Sequence, residues 1–403
     1  MLKPIPAFVL SLVLAVPVFG AGPDPDLLYV LQPDAVTVGQ LASAEVDWLV
    51  LEPTIDTSIP LYFTPAEVEQ IRTGSACTKK IVAYLSIGEA EDYRSYWDSS
   101  WVDASGNPIP GVAPAWLGPQ NPDFAGNYKV RYWDPDWQAL ILGTIGGPNQ
   151  TPLDRIVDQG FDGVYLDIID AYDFWSTSAG GNELTRAEAR QKMIEWVETI
   201  SNYARVTRGD SGFLVFPQNA ADIIRDDNDT LDALSTRYFD AISGIGIEDL
   251  YYNELAAQPA AETNYRIAQL DEYIAHGKTV LVTDYVIDAN DQSAATNSAR
   301  ATDFIDRCRA AGYAPYAALN DRDLNEIITF GGAGWASQQP KPGCADACLP
   351  DVNGNGTLEP SDFTAWIAAF NAGDPAADQN GNGSVEPSDF SAWIANFNAG
   401  CPA

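Results

Sequence analysis

Short apolar runs recur along the chain, and between most of them lie longer stretches in which apolar positions return every three or four residues. The first pattern reads as buried strands and the second as amphipathic helices. Strands are predicted at 27–32 (LLYVLQ), 46–53 (VDWLVLEP), 80–90 (KIVAYLSIGEA), 161–170 (FDGVYLDIID), 212–220 (GFLVFPQNA), 242–250 (ISGIGIEDL), 279–288 (TVLVTDYVID) and 313–319 (YAPYAAL). Helical stretches between them include TPAEVEQIRTG, DPDWQALILGTI, TRAEARQKMIEWVETISNYARV, NYRIAQLDEYIAHG and SARATDFIDRCRAAG. Strands alternating with helices in this way predict an α/β fold, a (β/α)8 TIM barrel. A doubly wound sheet is the alternative, but no Gly-rich phosphate loop follows the first strand.

The two ends of the chain have different patterns. Residues 1–20 join Lys3 to an apolar run and then small residues, as a secretory signal peptide does, so the protein is expected to be secreted or held at the cell surface. The barrel is expected over 23–335 and a linker over 336–343 (ASQQPKPG being the Pro-containing stretch), with a small domain over 344–403. That last segment repeats itself: DVNGNGTLEPSDFTAWIAAFNAG starts at 351 and DQNGNGSVEPSDFSAWIANFNAG at 378. Alternate side chains at loop positions one, three and five, Gly at six and a carboxylate at twelve suit a hard cation with oxygen ligands, which is the logic of a calcium loop. The expected ligands are Asp351, Asn353, Asn355, the Thr357 carbonyl and Asp362, then Asp378, Asn380, Asn382, the Ser384 carbonyl and Asp389. A loop of this kind followed by a single helix resembles a dockerin-type repeat pair, which implies an all-α, calcium-binding, dockerin-like domain and a cohesin-like or cell-surface scaffold as partner.

Composition narrows the chemistry. The net charge is −34, which argues against nucleic acid as a partner and suits a cationic ligand. No transmembrane segment is expected, because no stretch after the leader approaches the length of a spanning helix. The five cysteines leave at least one thiol unpaired; a bridge from Cys344 or Cys348 to Cys401 would tie the ends of the small domain. A single histidine, His276, sits between a helical stretch and a strand, where a surface or structural role is expected. With one histidine, and that expected in a surface or structural role, a Ser-His-Asp triad or a multi-histidine zinc site has almost nothing to work with, so acid–base work is expected to fall mainly to carboxylates, with no catalytic cofactor.

The polar residues at the strand ends matter most, since barrel enzymes place their sites there. In chain order these are Gln32, Glu52, Glu89, Asp167 with Asp170, Gln218 with Asn219, Glu248 with Asp249, and Asp284. Clustered carboxylates suit glycosidic-bond hydrolysis, in which one carboxyl protonates the leaving oxygen and another attacks or stabilises the sugar. Trp97, Trp101, Trp116 and Trp175 fall in loops where they could stack on sugar rings or pack the core.

YLSIGEAEDYRSYW (84–97), KVRYWDPDWQ (129–138), GFDGVYLDIIDAY (160–172) and VLVTDYV (280–286) resemble the signatures of glycoside hydrolase family 114, the endo-α-1,4-polygalactosaminidases and their bacterial relatives. The resemblance covers roughly 27–332. It implies a barrel that cuts α-1,4-linked galactosamine-containing polysaccharide internally, with Asp167 as nucleophile, Glu248 as acid/base and retention of configuration. It also places Glu89, Asp170, Tyr172 and Asp284 in the substrate site, beside Gln32, Glu52, Gln218 and Asn219. A hydrolase of another α-glycan and a non-catalytic glycan-binding barrel are the competing readings.

Overall fold

The structure, a computed structural model, describes residues 25–56, 61–75, 78–143, 151–328, 349–353, 358–372, 377, 379 and 385–400. The expected leader, linker and all cysteines except Cys308 lie outside the described residues. Cys308 is a buried free thiol.

Strands and helices alternate as β1 (Leu27–Val30), α1 (Val38–Ser43), β2 (Trp48–Leu51), α2 (Pro65–Thr73), β3 (Lys80–Ser86), α3 (Pro135–Leu142), α4 (Pro152–Gln159), β4 (Gly163–Asp167), α5 (Ala171–Ser176), α6 (Arg186–Asn202), β5 (Leu214–Pro217), α7 (Ala233–Ala241), β6 (Gly244–Glu248), α8 (Ala260–Ala275), β7 (Thr279–Ile287), α9 (Ala295–Ala310) and β8 (Ala314–Leu319). Each strand lies inside a run expected from the sequence. Local chemistry starts the helices: Thr64 and Glu67 form a reciprocal capping box at α2, as Thr185 and Glu188 do at α6. Asp134 caps α3 ahead of Pro135, a usual helix start for an Asp-Pro pair.

All neighbouring strands pair in parallel and in chain order, β1 to β5 in one sheet and β6 to β8 in another. A parallel bridge between Gln218 and Gly246 joins the two sheets, reinforced by Ser243 N–H donating to the Val215 carbonyl at 2.8 Å. The last strand returns beside the first, where Leu31 N–H donates to the Leu324 carbonyl at 2.9 Å. The result is a mixed α/β, TIM-barrel-like domain. Strand residues are buried on both faces, which is why they read as continuous apolar runs rather than alternating ones.

One excursion was not expected. Between β3 and α3, the short strands Glu89–Glu91, Leu117–Gln120 and Asn127–Val130 form an antiparallel sheet over the strand ends. Trp116 is buried in the core with Trp137, and Trp175 is buried as well, donating its indole N–H to the Val130 carbonyl at 2.8 Å. Neither is open to a sugar, whereas Trp97 and Trp101 are partly buried against the core. His276 is exposed at the end of α8 and stacks on Phe239 at 3.9 Å.

The C-terminal segment contributes α10 (Pro360–Ala372) and α11 (Ser388–Ala399), with its own small cluster of Trp366, Ala377 and Trp393. Asn355, Thr357, Asp378, Asn380, Asn382 and Ser384 lie outside the described residues. No helix among the described residues is long and apolar enough to cross a membrane.

Candidate active site

β4 carries GVYLD, with four buried residues and Asp167 half-buried at the carboxyl end. The chain then turns sharply: Ile168 has φ 60°, a region that costs a β-branched residue about 1–3 kcal/mol. Its N–H donates to Asp167 Oδ1 at 2.7 Å, so the strained turn also holds the carboxylate. Gly88 allows this close approach, since a Cβ there would lie 2.2 Å from the Ile168 carbonyl oxygen. On β3, Tyr84 pairs in register with Tyr165 and donates its hydroxyl to Asp167 Oδ2 at 2.7 Å. Burial pushes the Asp167 carboxyl up to about 7, against the pull of the Tyr84 hydrogen bond, and the charge of Glu248 pushes the same way.

Glu248 ends β6 and is gripped from three sides. Its Oε2 accepts from Gln218 Nε2 at 2.6 Å and from Asn219 Nδ2 at 3.1 Å, and its Oε1 accepts from the Tyr285 hydroxyl on β7. Asn219 has φ 58°, a conformation asparagine tolerates, and this folds its side chain back so that Oδ1 accepts the Glu248 N–H at 3.0 Å. Asp249, next in the chain, also has positive φ at 53° and binds Arg322 at 2.7 Å, while the Arg322 guanidinium lies 4.0 Å over the Tyr285 ring. Beneath the two carboxylates stand Tyr29, Tyr84, Tyr165 and Tyr285, from β1, β3, β4 and β7. Burial raises all four phenols well above their ordinary range, so each keeps a proton to donate.

The other expected site residues divide. Asp170 and Gln32 are exposed. Glu52 is buried and paired with Arg94 through contacts of 2.6 and 2.9 Å, and Arg94 also binds Glu91 at 2.6 Å. Glu89 is fully buried, taking Lys129 Nζ at 2.5 Å and Asn121 Nδ2 at 2.9 Å. Tyr172 is buried and donates to Asp222 at 3.1 Å. Asp284 is fully buried, its oxygens accepting the N–H groups of Leu250, Tyr251 and Tyr252 at 2.7–2.9 Å. Gln218 and Asn219 spend their amides on Glu248. All six of these side chains, expected in the substrate site, have protein partners in the structure, as buried and half-buried polar groups generally do. Tyr84, Tyr285, Tyr29 and Arg322 are not among the residues expected in the site from the sequence. Two of these, Tyr84 and Tyr285, stand inside the quoted motifs at strand positions next to the carboxylates.

Asp167 and Glu248 thus close β4 and β6, the first with its carboxyl pushed up to about 7 by burial and the second surrounded by hydrogen-bond donors. The family model for glycoside hydrolases that matches this chain spans residues 53–335. The chain belongs to glycoside hydrolase family GH114. Among relatives, uncharacterized proteins from Methanocaldococcus jannaschii and Deinococcus radiodurans are 34% and 35% identical over 303 and 286 residues. These alignments cover 75% and 70% of this chain and 78% and 74% of theirs. Of solved structures, the glycoside hydrolase domain of PelA from Pseudomonas aeruginosa is similar at 17% identity and a TM-score of 0.47, covering 75% of this chain and 96% of its own. The GH114 match begins at Pro53 and contains both Asp167 and Glu248.

Proposed function

We propose that this GH114 chain is a secreted hydrolase that cuts α-1,4-linked galactosamine polysaccharide internally, on a closed (β/α)8 barrel, with Asp167 and Glu248 as its catalytic carboxylates. The observation that carries the reading is the placement of those two groups at strand ends, each held by dedicated donors, with the charge of Glu248 adding to the burial that raises Asp167. In the roles the family resemblance implies, Asp167 attacks the anomeric carbon while Glu248 protonates the leaving oxygen and then activates water. The acidic chain and the exposed Asp170 beside Asp167 suit a partly deacetylated, cationic polymer. The test is hydrolysis of partly deacetylated α-1,4-galactosaminogalactan by the wild type beside Asp167→Asn and Glu248→Gln. Oligosaccharide release that falls about 10³-fold or more in both variants supports the pair. Glycan binding with no release by the wild type would favour a non-catalytic barrel instead.

A second reading exchanges the two roles. One observation favours it: Glu248 accepts three hydrogen bonds, as an ionised nucleophile would, while Asp167 holds the proton an acid needs. Azide separates the two. Added to a variant lacking the acid/base, it intercepts the glycosyl-enzyme and gives an azide of retained configuration. Added to a variant lacking the nucleophile, it attacks the substrate and gives the inverted product.

For the tail we propose two calcium ions and a cohesin-like or cell-surface scaffold as partner. Supporting this, Asp362 and Asp389 are both fully buried and reach back to N–H groups of their loops, Glu359 at 2.9 Å and Glu386 at 2.7 Å. The chain has no basic residue after Lys341, and loops rich in side-chain oxygens suit a hard cation such as calcium. Ile367, Phe390 and Ile394 are each 41% exposed on the two helices, an apolar surface suited to docking.

A further inference from the structure

The reading of Glu248 as one of the catalytic pair raises the question of what fixes its surroundings. A carboxamide has a donor end and an acceptor end, and which one faces a carboxyl group decides whether the ionised or the protonated form is favoured. Two amides face Glu248. The Asn219 amide is locked by the Glu248 backbone N–H, which can only donate and which takes Oδ1, so Nδ2 must point at the carboxylate. The Gln218 amide has no backbone lock of this kind. Its Oε1 accepts instead from the Tyr29 hydroxyl at 3.3 Å, and its Nε2 reaches Glu248 Oε2 at 2.6 Å. Turned over, Gln218 would set its own oxygen against that carboxylate oxygen.

Tyr29 is on β1, fully buried, and packs its ring tilted by 59° against Tyr165 with centroids 5.4 Å apart. We infer that Tyr29 is a positioning residue for the reaction: by donating to Gln218 it keeps the amide's N–H turned toward Glu248, and so sets the pH range in which Glu248 keeps its charge. The other titratable groups facing Glu248 are Asp167 and Tyr165 on β4 and Tyr285 on β7. Behind it, the Arg266 guanidinium of α8 takes the carbonyl oxygens of Glu248 and Asp249 at 2.6 Å, and Arg322 is held by Asp249. None of these donates to the Gln218 amide oxygen, which leaves its orientation to Tyr29.

The test is a double-mutant cycle read by pH–rate profiles, using Tyr29→Phe, Gln218→Met and the pair together in the full chain. Tyr29→Phe removes one hydroxyl, and Gln218→Met keeps the shape but loses the amide. Each single change should move the limb governed by Glu248 up by about one pH unit, with KM within about twofold. In the Gln218→Met background, Tyr29→Phe should add nothing, because its route to Glu248 is gone. Additive shifts, or a lowered Tm with an unmoved profile, overturn the inference and leave Tyr29 as packing. A parallel readout needs no turnover. The infrared carboxylate band of Glu248, isolated by subtracting the Glu248→Gln spectrum, should titrate at higher pH in Tyr29→Phe; identical midpoints overturn the wiring. If the wild type cleaves no glycan, the hydrolase reading fails and this titration still decides the wiring.

Discussion

The hydroxyl of Tyr84 on β3 donates to Asp167 on β4 across 2.7 Å, and it is the only side chain of the described residues shown bonded to that carboxylate. The bond stabilises the ionised form, opposing the burial that pushes the carboxyl up to about 7. Tyr84→Phe should therefore raise the limb of the pH–rate profile that Asp167 governs from near 7 by about one to two units. A hydrogen bond to a charged group contributes about 1.5–3 kcal/mol, so kcat/KM should fall about 10- to 100-fold near neutral pH. A profile superimposable on the wild type would show that Tyr84 does not tune Asp167.

The same carboxyl carries a stability consequence. Its folded-state value of about 7 stands above the ordinary 3.8, so between those values the folded protein holds a proton that the unfolded chain has released. Stability from this group is full below about pH 4, declines as pH rises to 7, and stays at its lowest above that. Asp167→Asn lifts the penalty. Its Tm should exceed that of the wild type at pH 8 and match it near pH 4, by roughly 2–4 °C per kcal/mol recovered. Calorimetry at the two pH values checks this, and a variant less stable than the wild type at pH 8 would refute it.

Gly246 is opposite Gln218, and a Cβ there would sit 1.8 Å from Tyr165 Oη. Glycine at this position makes room for the ring that underlies both carboxylates. Gly246→Ala should cost about 1–3 kcal/mol of stability through overpacking and lower kcat by displacing Tyr165. Gly160, with φ 80° and nothing within 4 Å of an added Cβ, should show the backbone cost alone and leave kcat unchanged when replaced by alanine. Equal kcat losses in the two variants would contradict this account.

Asp284 gathers three backbone N–H groups from the turn that follows Glu248. Asp284→Asn turns one of its two acceptor oxygens into a donor facing a donor, at about 1–3 kcal/mol. Since the turn anchors Glu248 rather than the substrate, kcat should fall while KM stays near the wild-type value. A raised KM with unchanged kcat would return Asp284 to the substrate site.

Calcium should act on the tail and not on the glycoside hydrolase domain. Titration of the whole protein by calorimetry should show two sites, with one lost in Asp362→Ala and the other in Asp389→Ala. Chelation should lower the melting transition of the tail, followed through Trp366 and Trp393, and leave glycan hydrolysis unaltered. Absence of any calcium heat would refute the loop assignment.

The eight apolar runs were legible because burial on both faces writes a local signature, and each observed strand lies within its expected run. The strand-end placement of Asp167 and Glu248 was legible for a related reason: a carboxylate directly after a buried run stands where the apolar pattern stops. The repeat in the tail was visible as a period of 27 between Asp351 and Asp378. What the sequence did not disclose is which carboxylates find partners. Glu52 meets Arg94, Glu89 meets Lys129, and Asp284 meets the backbone at 250–252, each joined across tens of residues by the fold. The direction of the Tyr84 and Tyr285 hydroxyls and the orientation of the Gln218 amide also exist only once β1 and β3 to β7 stand side by side. Local sequence fixes burial, because burial follows from the pattern of apolar residues; pairing is a property of the assembled strands, which bring Arg94, Lys129 and the 250–252 backbone to Glu52, Glu89 and Asp284, and Tyr84, Gln218, Asn219 and Tyr285 to Asp167 and Glu248.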